Sequence, residues 1–252
     1  MERDNYAAGT PSWVDIGSTD LEVTHAFYTG LFGWERRDAG PVEQTGGYGF
    51  YTKNDRAVAG YGPAQAPGVW WSMYVSVDDA AATAGKVEAG GGSTIVAPMQ
   101  VMEEGSMAVF ADPTGAAFSV WQPGNMTGAG LVNEPGAFSW AELMTRDLEA
   151  AVTFYESVFG WTEKNGPQST YKEFEVEGTV VAGGQTIGVD MPAQVPPHWN
   201  IYFGASDVDA TSARAVELGG TVRMPPFDIP DVGRMAVLGG PHHEGFSIFQ
   251  FD

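Results

Sequence analysis

Ser12-Trp13-Val14-Asp15-Ile16, followed by Asp20-Leu21-Glu22, Phe27-Tyr28 and Phe32-Gly33-Trp34, decides the architecture because it occurs twice. It returns as Ser139-Trp140-Ala141-Glu142-Leu143, Asp147-Leu148-Glu149, Phe154-Tyr155 and Phe159-Gly160-Trp161, shifted by 127 residues. The copies run on at nearly the same offset. Trp71 and Tyr74 match Trp199 and Tyr202, Met107-Ala108-Val109 matches Met235-Ala236-Val237, and Phe118-Ser119 matches Phe246-Ser247. Self-similarity over such a span marks a tandem duplication. Gly124, Gly128, Gly130 and Pro135 crowd a stretch without apolar period. The chain therefore divides into a tail at 1–9, a first domain at 10–123, a linker at 124–136 and a second domain at 137–252. A length of 252 residues suits two domains of the usual size, roughly 100–200 residues each.

Within each half the apolar period changes in order. Residues 12–18 alternate as a strand; Ser18-Thr19-Asp20 then offers capping oxygens to a helix whose apolar face includes Leu21, Phe27, Tyr28 and Leu31 and which Gly33 closes. Short strands are predicted at 48–53 and 56–61, a further strand at 70–77, a second helix at 79–89, and strands at 93–97, 106–111 and 116–122. The last two are separated by the turn Asp112-Pro113-Thr114-Gly115. Each half thus reads as two βαβββ units, an α+β fold.

Composition narrows the function. Twelve basic residues against 32 acidic ones leave a net charge of −20, and such a chain is repelled by phosphate backbones and anionic lipid, so neither nucleic acid nor membrane is an expected partner. Hydrophobic residues at 43%, with no apolar run of about 18, point to a globular rather than a spanning or disordered chain. The absence of cysteine removes disulfides, thiolate metal sites and cysteine nucleophiles. Met1-Glu2-Arg3-Asp4-Asn5 lacks the basic start and apolar stretch of a signal peptide, which makes the cytoplasm the expected location. The glycine-rich stretches match no phosphate-binding loop and read as turns.

Three motifs resemble the vicinal oxygen chelate superfamily, that of glyoxalase I, extradiol dioxygenases and bleomycin-resistance proteins. One is the strand, Asp-Leu, helix and Phe-Gly-Trp series from Asp20 to Trp34 and from Asp147 to Trp161. Another is the strand running into Val77-Asp78-Asp79, or Ala205-Ser206-Asp207; the third is Asp112-Pro113-Thr114-Gly115 before a final strand. The resemblance implies paired βαβββ units curling into a cup, with helices outside and a divalent metal held by side chains from four strands. It places those ligands at Trp13 and Trp140, at Gly60 and Gly183-Gly184, at Ser72 and Asn200, and at Ser119 and Ser247. Metals of this kind need imidazole and carboxylate donors. No metal and no other cofactor is therefore expected in either half; a relocated site using Glu142, His198 or His242-His243-Glu244 is the competing reading, against which adjacent histidines in a turn read as a solvated loop.

With the family's ligand positions turned inward, strand alternation assigns the cup. The first strand contributes Trp13, Asp15 and Gly17, with Val14 and Ile16 turned to the helices; its counterpart contributes Trp140, Glu142 and Met144. The next lining strands give Trp70, Ser72 and Tyr74, or His198, Asn200 and Tyr202. The final strands give Ala117, Ser119 and Trp121, or Gly245, Ser247 and Phe249, while Phe118, Val120, Phe246 and Ile248 pack under the helices. A cup so lined suits a flat, partly apolar organic ligand, the alternative being that the aromatics merely plug it.

Asp15 and Glu142 each follow a tryptophan by two residues on the presumed inner face. A carboxylate in apolar surroundings has its pKa raised and can act as general base or acid, whereas one at a strand end is ion-paired or exposed. The leading reading is a metal-independent small-molecule site, with catalytic candidates Glu142, His198, Tyr202 and Asp15. It either sequesters an aromatic or polyketide-like metabolite or modifies it by proton transfer in an isomerisation, cyclisation or elimination. A metal-dependent glyoxalase- or dioxygenase-like enzyme with displaced ligands and a protein-binding scaffold are the alternatives. Because Gly240-Pro241-His242-His243-Glu244 replaces the first half's turn and His198 replaces Trp70, one working cup, that of Glu142, and one degenerate cup are expected. Strand exchange between domains is left open, His25 is expected at the surface, and a monomer is favoured with a homodimer allowed.

Overall fold

The first strand, β1 (Pro11–Ser18), feeds α1 (Leu21–Phe32) because Asp20 accepts the free N–H of Val23, and the helix stops where Gly33 takes the left-handed conformation at φ 69°. Asp147 and Gly160, at φ 71°, bound α4 (Leu148–Phe159) in the same way. Asp79 and Asp207 cap α3 (Ala80–Ala89) and α5 (Val208–Glu217), so the aspartates of the repeated motifs are helix starts. The computed structural model describes residues 1–166, 170–189 and 191–251; position 252, the expected last residue of the second domain, lies outside them.

In the first half β1 and α1 are followed by β2 (Glu35–Asp38), the single-turn α2 (Val42–Thr45), β3 (Gly49–Lys53) and β4 (Arg56–Pro63). Then come β5 (Trp70–Ser76), α3, β6 (Ser93–Val101), β7 (Gly105–Ala111) and β8 (Ala117–Pro123). The second half repeats the series as β9 (Phe138–Thr145), α4, β10 (Thr162–Asn165), β11 (Tyr171–Val176), β12 (Thr179–Thr186), β13 (His198–Gly204), α5, β14 (Thr221–Ile229), β15 (Gly233–Gly239) and β16 (Gly245–Phe251). The polar edge strands β2 and β10, all exposed, and the short α2 escape sequence reading because they carry no apolar period.

Each half makes its own eight-stranded sheet, ordered β2-β3-β4-β1-β5-β8-β7-β6 and β10-β11-β12-β9-β13-β16-β15-β14. No strand is exchanged between the halves in these sheets. The two βαβββ units of a half meet where β1 runs antiparallel to β5, and β9 to β13.

The helices lie on the convex faces but are not outermost. Phe27 and Phe32 of α1 meet Phe246 and Phe203 of the other half at 6.1 and 5.2 Å, while Phe118 meets Phe154 and Tyr155 of α4 at 5.9 and 5.4 Å. One core, which includes the fully buried Val14, Ile16, Val120 and Ile248, therefore runs through both lobes. Trp13, Tyr74 and Trp121 of the first cup belong to this core, whereas Tyr202, Met235 and Phe249 of the second form a cluster of their own.

Polar groups are drawn into this junction. Tyr28 donates to buried Glu244 at 2.9 Å and accepts from the Trp71 indole; Tyr155 donates to buried Asp112 at 3.1 Å and accepts from Trp199. Glu244 is thus a lobe-to-lobe partner, while in the adjacent histidine turn, expected as a solvated loop, His243 is exposed and His242 half-buried. His25 is also buried, at 4% exposure, with Nδ1 2.7 Å from the Tyr51 hydroxyl, rather than at the surface. The tail is tied down as well: the Met1 amine donates to the Val132 carbonyl and the Tyr6 hydroxyl to that of Ala129. No helix among the described residues is long and apolar enough to cross a membrane.

Candidate functional site

Cross-strand register fixes what faces each cup. Asp15 lies opposite Gly60 on β4 and Ser72 on β5, and Trp13 opposite Tyr74, which in turn pairs with Ser119. Glu142 likewise lies between Gly183 and Asn200, with Trp140 opposite Tyr202 and Tyr202 paired with Ser247. The residues assigned inward by alternation share the concave faces.

In the first cup the Tyr74 and Tyr48 hydroxyls donate to Asp15 Oδ2 at 2.8 and 3.2 Å, and Trp13 Nε1 donates to the Tyr48 oxygen at 2.9 Å. In the second, Tyr202 donates to Glu142 Oε1 at 2.9 Å and Trp140 Nε1 donates to the Tyr171 oxygen at 3.1 Å, with the Tyr171 phenol beside Glu142 and lowering its pKa. An indole that donates to a phenol oxygen leaves the phenol's single proton free to bind the carboxylate. Tyr48 and Tyr171 are the site residues that sequence reasoning missed. They stand 123 rather than 127 residues apart, so the repeat does not align them.

Burial pushes Asp15 up to about 6 and Glu142 up to about 7, with the phenols pulling both back. Among the described residues neither carboxylate is ion-paired, and neither sits at a strand end; their partners are phenols. The Tyr48, Tyr74 and Tyr202 hydroxyls are pushed well above the ordinary phenol range, by burial first and by the adjacent carboxylate second, and so remain donors.

The remaining candidates are placed as follows. Asn200 Nδ2 donates to Ser247 Oγ at 2.8 Å, while Trp121 is buried with its indole N–H on the Met126 carbonyl. Ser119 and Phe249 are buried; Ser72, Trp140 and Met144 are half-buried, and Trp70 is 37% exposed at the rim. His198 is exposed at the start of β13, its Nδ1 2.9 Å from the Pro196 carbonyl oxygen, and Tyr171 rather than His198 joins Tyr202 on Glu142. The Tyr74–Asp15 and Trp13–Tyr48 hydrogen bonds recur as Tyr202–Glu142 and Trp140–Tyr171, so the expected contrast between one working and one degenerate cup is not visible in them.

A sequence model described as Glyoxalase/Bleomycin resistance protein/Dioxygenase superfamily matches residues 10–120 and again 137–248. The chain belongs to this superfamily. Among curated relatives, "Putative glyoxylase CFP32" of Mycobacterium tuberculosis is 40% identical over 258 residues, covering 99% of this chain and 97% of the relative. "Anthracycline biosynthesis protein DnrV" of Streptomyces peucetius is 40% identical over 267 residues, covering 97% and 94%. Among solved structures, a Mn(II)-bound glyoxalase from Novosphingobium aromaticivorans superposes with TM-score 0.67 at 16% identity, covering 96% of this chain and 82% of that one. That likeness shows the fold alone.

In this glyoxalase/dioxygenase superfamily the resemblance placed metal ligands where this chain has tryptophan, glycine, serine and asparagine. The donor set does not fit a divalent ion: among the described residues no three His, Asp or Glu side chains converge. Space at Gly60 and Gly183 is also taken. A side chain begun at either glycine would run into the hydroxyl of Tyr48 or Tyr171, which occupies the ground a ligating side chain would need.

Proposed function

We propose that the second lobe's cup binds a flat, partly apolar metabolite of the aromatic polyketide kind and moves a proton on it, with Glu142 as the base and no divalent cation. One observation carries this reading: a buried carboxylate, pushed up to about 7, set between Tyr171 and Tyr202 and beside Trp140. A base works best when its pKa is near the operating pH, because it is then substantially ionised yet still a strong acceptor. The kinship with proteins named for anthracycline biosynthesis supports the ligand class.

The step is balanced within the site. A C–H or O–H proton of the ligand passes to a Glu142 oxygen, whose negative charge moves to the ligand as an enolate or phenolate. The resulting carboxylic acid returns the proton at another ligand carbon to give an isomer; in a ring closure the enolate carbon bonds to a ligand carbonyl carbon whose oxygen takes the proton, and in an elimination the C–O bond to a ligand hydroxyl breaks and that oxygen takes the proton and leaves as water. Tyr202 and Tyr171 hold the carboxylate in place throughout, and half-buried Trp140 and Met144 offer an apolar surface to the ring.

The test is Glu142→Gln in the full chain, assayed with hydroxylated anthraquinone-type compounds. Turnover falls by at least 100-fold while ring binding persists. Full turnover in the variant removes Glu142 from the chemistry; recovery of every bound compound unchanged from the wild type leaves sequestration instead. Stoichiometric manganese, nickel, zinc or iron that activates the purified protein would return a metal-dependent enzyme.

A further inference from the structure

The two cups keep the same polar centre but differ in their far walls. On β14 of the second lobe Phe227 and Ile229 are half-buried and pack onto Met235, Phe249 and Tyr202, while Met224, opposite Val237, stays 46% exposed. The corresponding strand of the first lobe, β6, has Met99 opposite Met107 and Val96 opposite Val109, on the cup face. Met99 is 51% exposed and Val96 and Trp70 are each 37% exposed, while Met107, Val109 and Asp15 are half-buried. An apolar wall facing water on a concave sheet, with one polar centre at its base, is the form of a ligand site rather than of a filled core.

Asp15 is the polar group at the base of this wall, its carboxyl pushed up to about 6 by burial against the pull of the Tyr74 and Tyr48 hydroxyls. Two phenols and an indole are arranged around it as around Glu142.

We propose that the cup of the first lobe is a second ligand site, taking a flat hydroxylated ring system whose hydroxyl meets Asp15 and Ser72 while its rings lie between Trp70 and the Val96–Met99 wall. One chain then binds two such ligands. The ligand class rests on the reading of the second cup; the existence of the site does not.

Methionine methyl NMR reads the cups separately, since Met99 and Met107 face the first, and Met144 and Met235 the second. The probe is 1,2-dihydroxyanthraquinone, titrated into the full chain with calorimetric stoichiometry measured in parallel. The expected result is two ligands per chain and shifts at both methionine pairs. Trp70→Ala at the exposed rim weakens the Met99 and Met107 response at least tenfold and leaves the Met144 and Met235 response unchanged. Shifts at Met144 and Met235 alone, with one ligand per chain, overturn the proposal and leave the second-cup reading standing. Shifts at Met99 and Met107 alone sustain it and overturn that reading; no shift at either pair overturns both.

Discussion

Trp34 Nε1 donates to the Gly136 carbonyl at 2.6 Å, and its repeat equivalent Trp161 returns the bond to Gly9 at 2.7 Å. Each indole belongs to one lobe and each carbonyl precedes the first strand of the other. The Phe-Gly-Trp signature therefore ends a helix with its glycine and clasps the opposite lobe with its tryptophan. Both indoles are buried, so each bond is shielded from water.

Trp34→Phe keeps most of the ring area but leaves the Gly136 carbonyl without this donor, and we expect a loss of about 1–3 kcal/mol in denaturant unfolding. Trp34→Ala adds a cavity and should cost about 3–5 kcal/mol. Because the core is continuous, both variants should still unfold in a single calorimetric transition. Two separated transitions would show that the lobes are independent.

The raised carboxylates bear on stability with a definite sign. Glu142 and Asp15 bind their protons more tightly folded than unfolded, so their contribution is full below their ordinary values of 4.5 and 3.8. It is lost as pH rises through about 7 and about 6. Glu142→Gln should therefore be more stable than the wild type at pH 8, by up to about 3 kcal/mol, with the difference vanishing near pH 4.5. Urea titrations at the two pH values check this. A variant less stable at pH 8 would mean that the phenol hydrogen bonds outweigh the cost of burial.

His25 acts in the opposite direction. Burial first, and nearby Arg36 second, lower its pKa, so the fold favours the neutral ring. Its contribution is intact above the ordinary value of 6.5 and is lost as pH falls. His25→Gln retains a partner for Tyr51 and should flatten the decline in melting temperature between pH 6.5 and 5.

Gly183→Ala tests the seat of Tyr171. The added methyl occupies the hydroxyl's position, so the phenol must swing away from Glu142 and from the Trp140 indole. Losing a donor that holds the ionised form should raise the Glu142 midpoint above about 7, read as a carboxyl band in infrared titration. Tyr171→Phe should raise it similarly, and the double variant should add little. An unmoved midpoint in all three would detach Tyr171 from the carboxylate.

Much of this was legible in the sequence because the signals are local or periodic. The aspartate caps and left-handed glycines at Gly33 and Gly160 fall where helix chemistry requires them. The alternation that set Trp13 and Asp15 against Val14 and Ile16 predicted which face each would take. What escaped depends on distant pairing. Tyr48 meets Asp15 only because β3 and β4 bring Gly60 beside β1, and the four-residue discrepancy in the repeat hides its partner Tyr171. His25, expected at the surface, is buried by packing against a strand that no local pattern names, and Glu244 likewise by its bond to a helix of the other lobe.

The phenols over Gly60 and Gly183 lock two positions together: each glycine can gain a side chain only if its tyrosine leaves. Installing a ligating histidine or glutamate at either position first creates a clash, and removing the tyrosine first strands an indole donor and loosens the carboxylate. Neither single step is free, so placing a ligating side chain at either position demands concerted change.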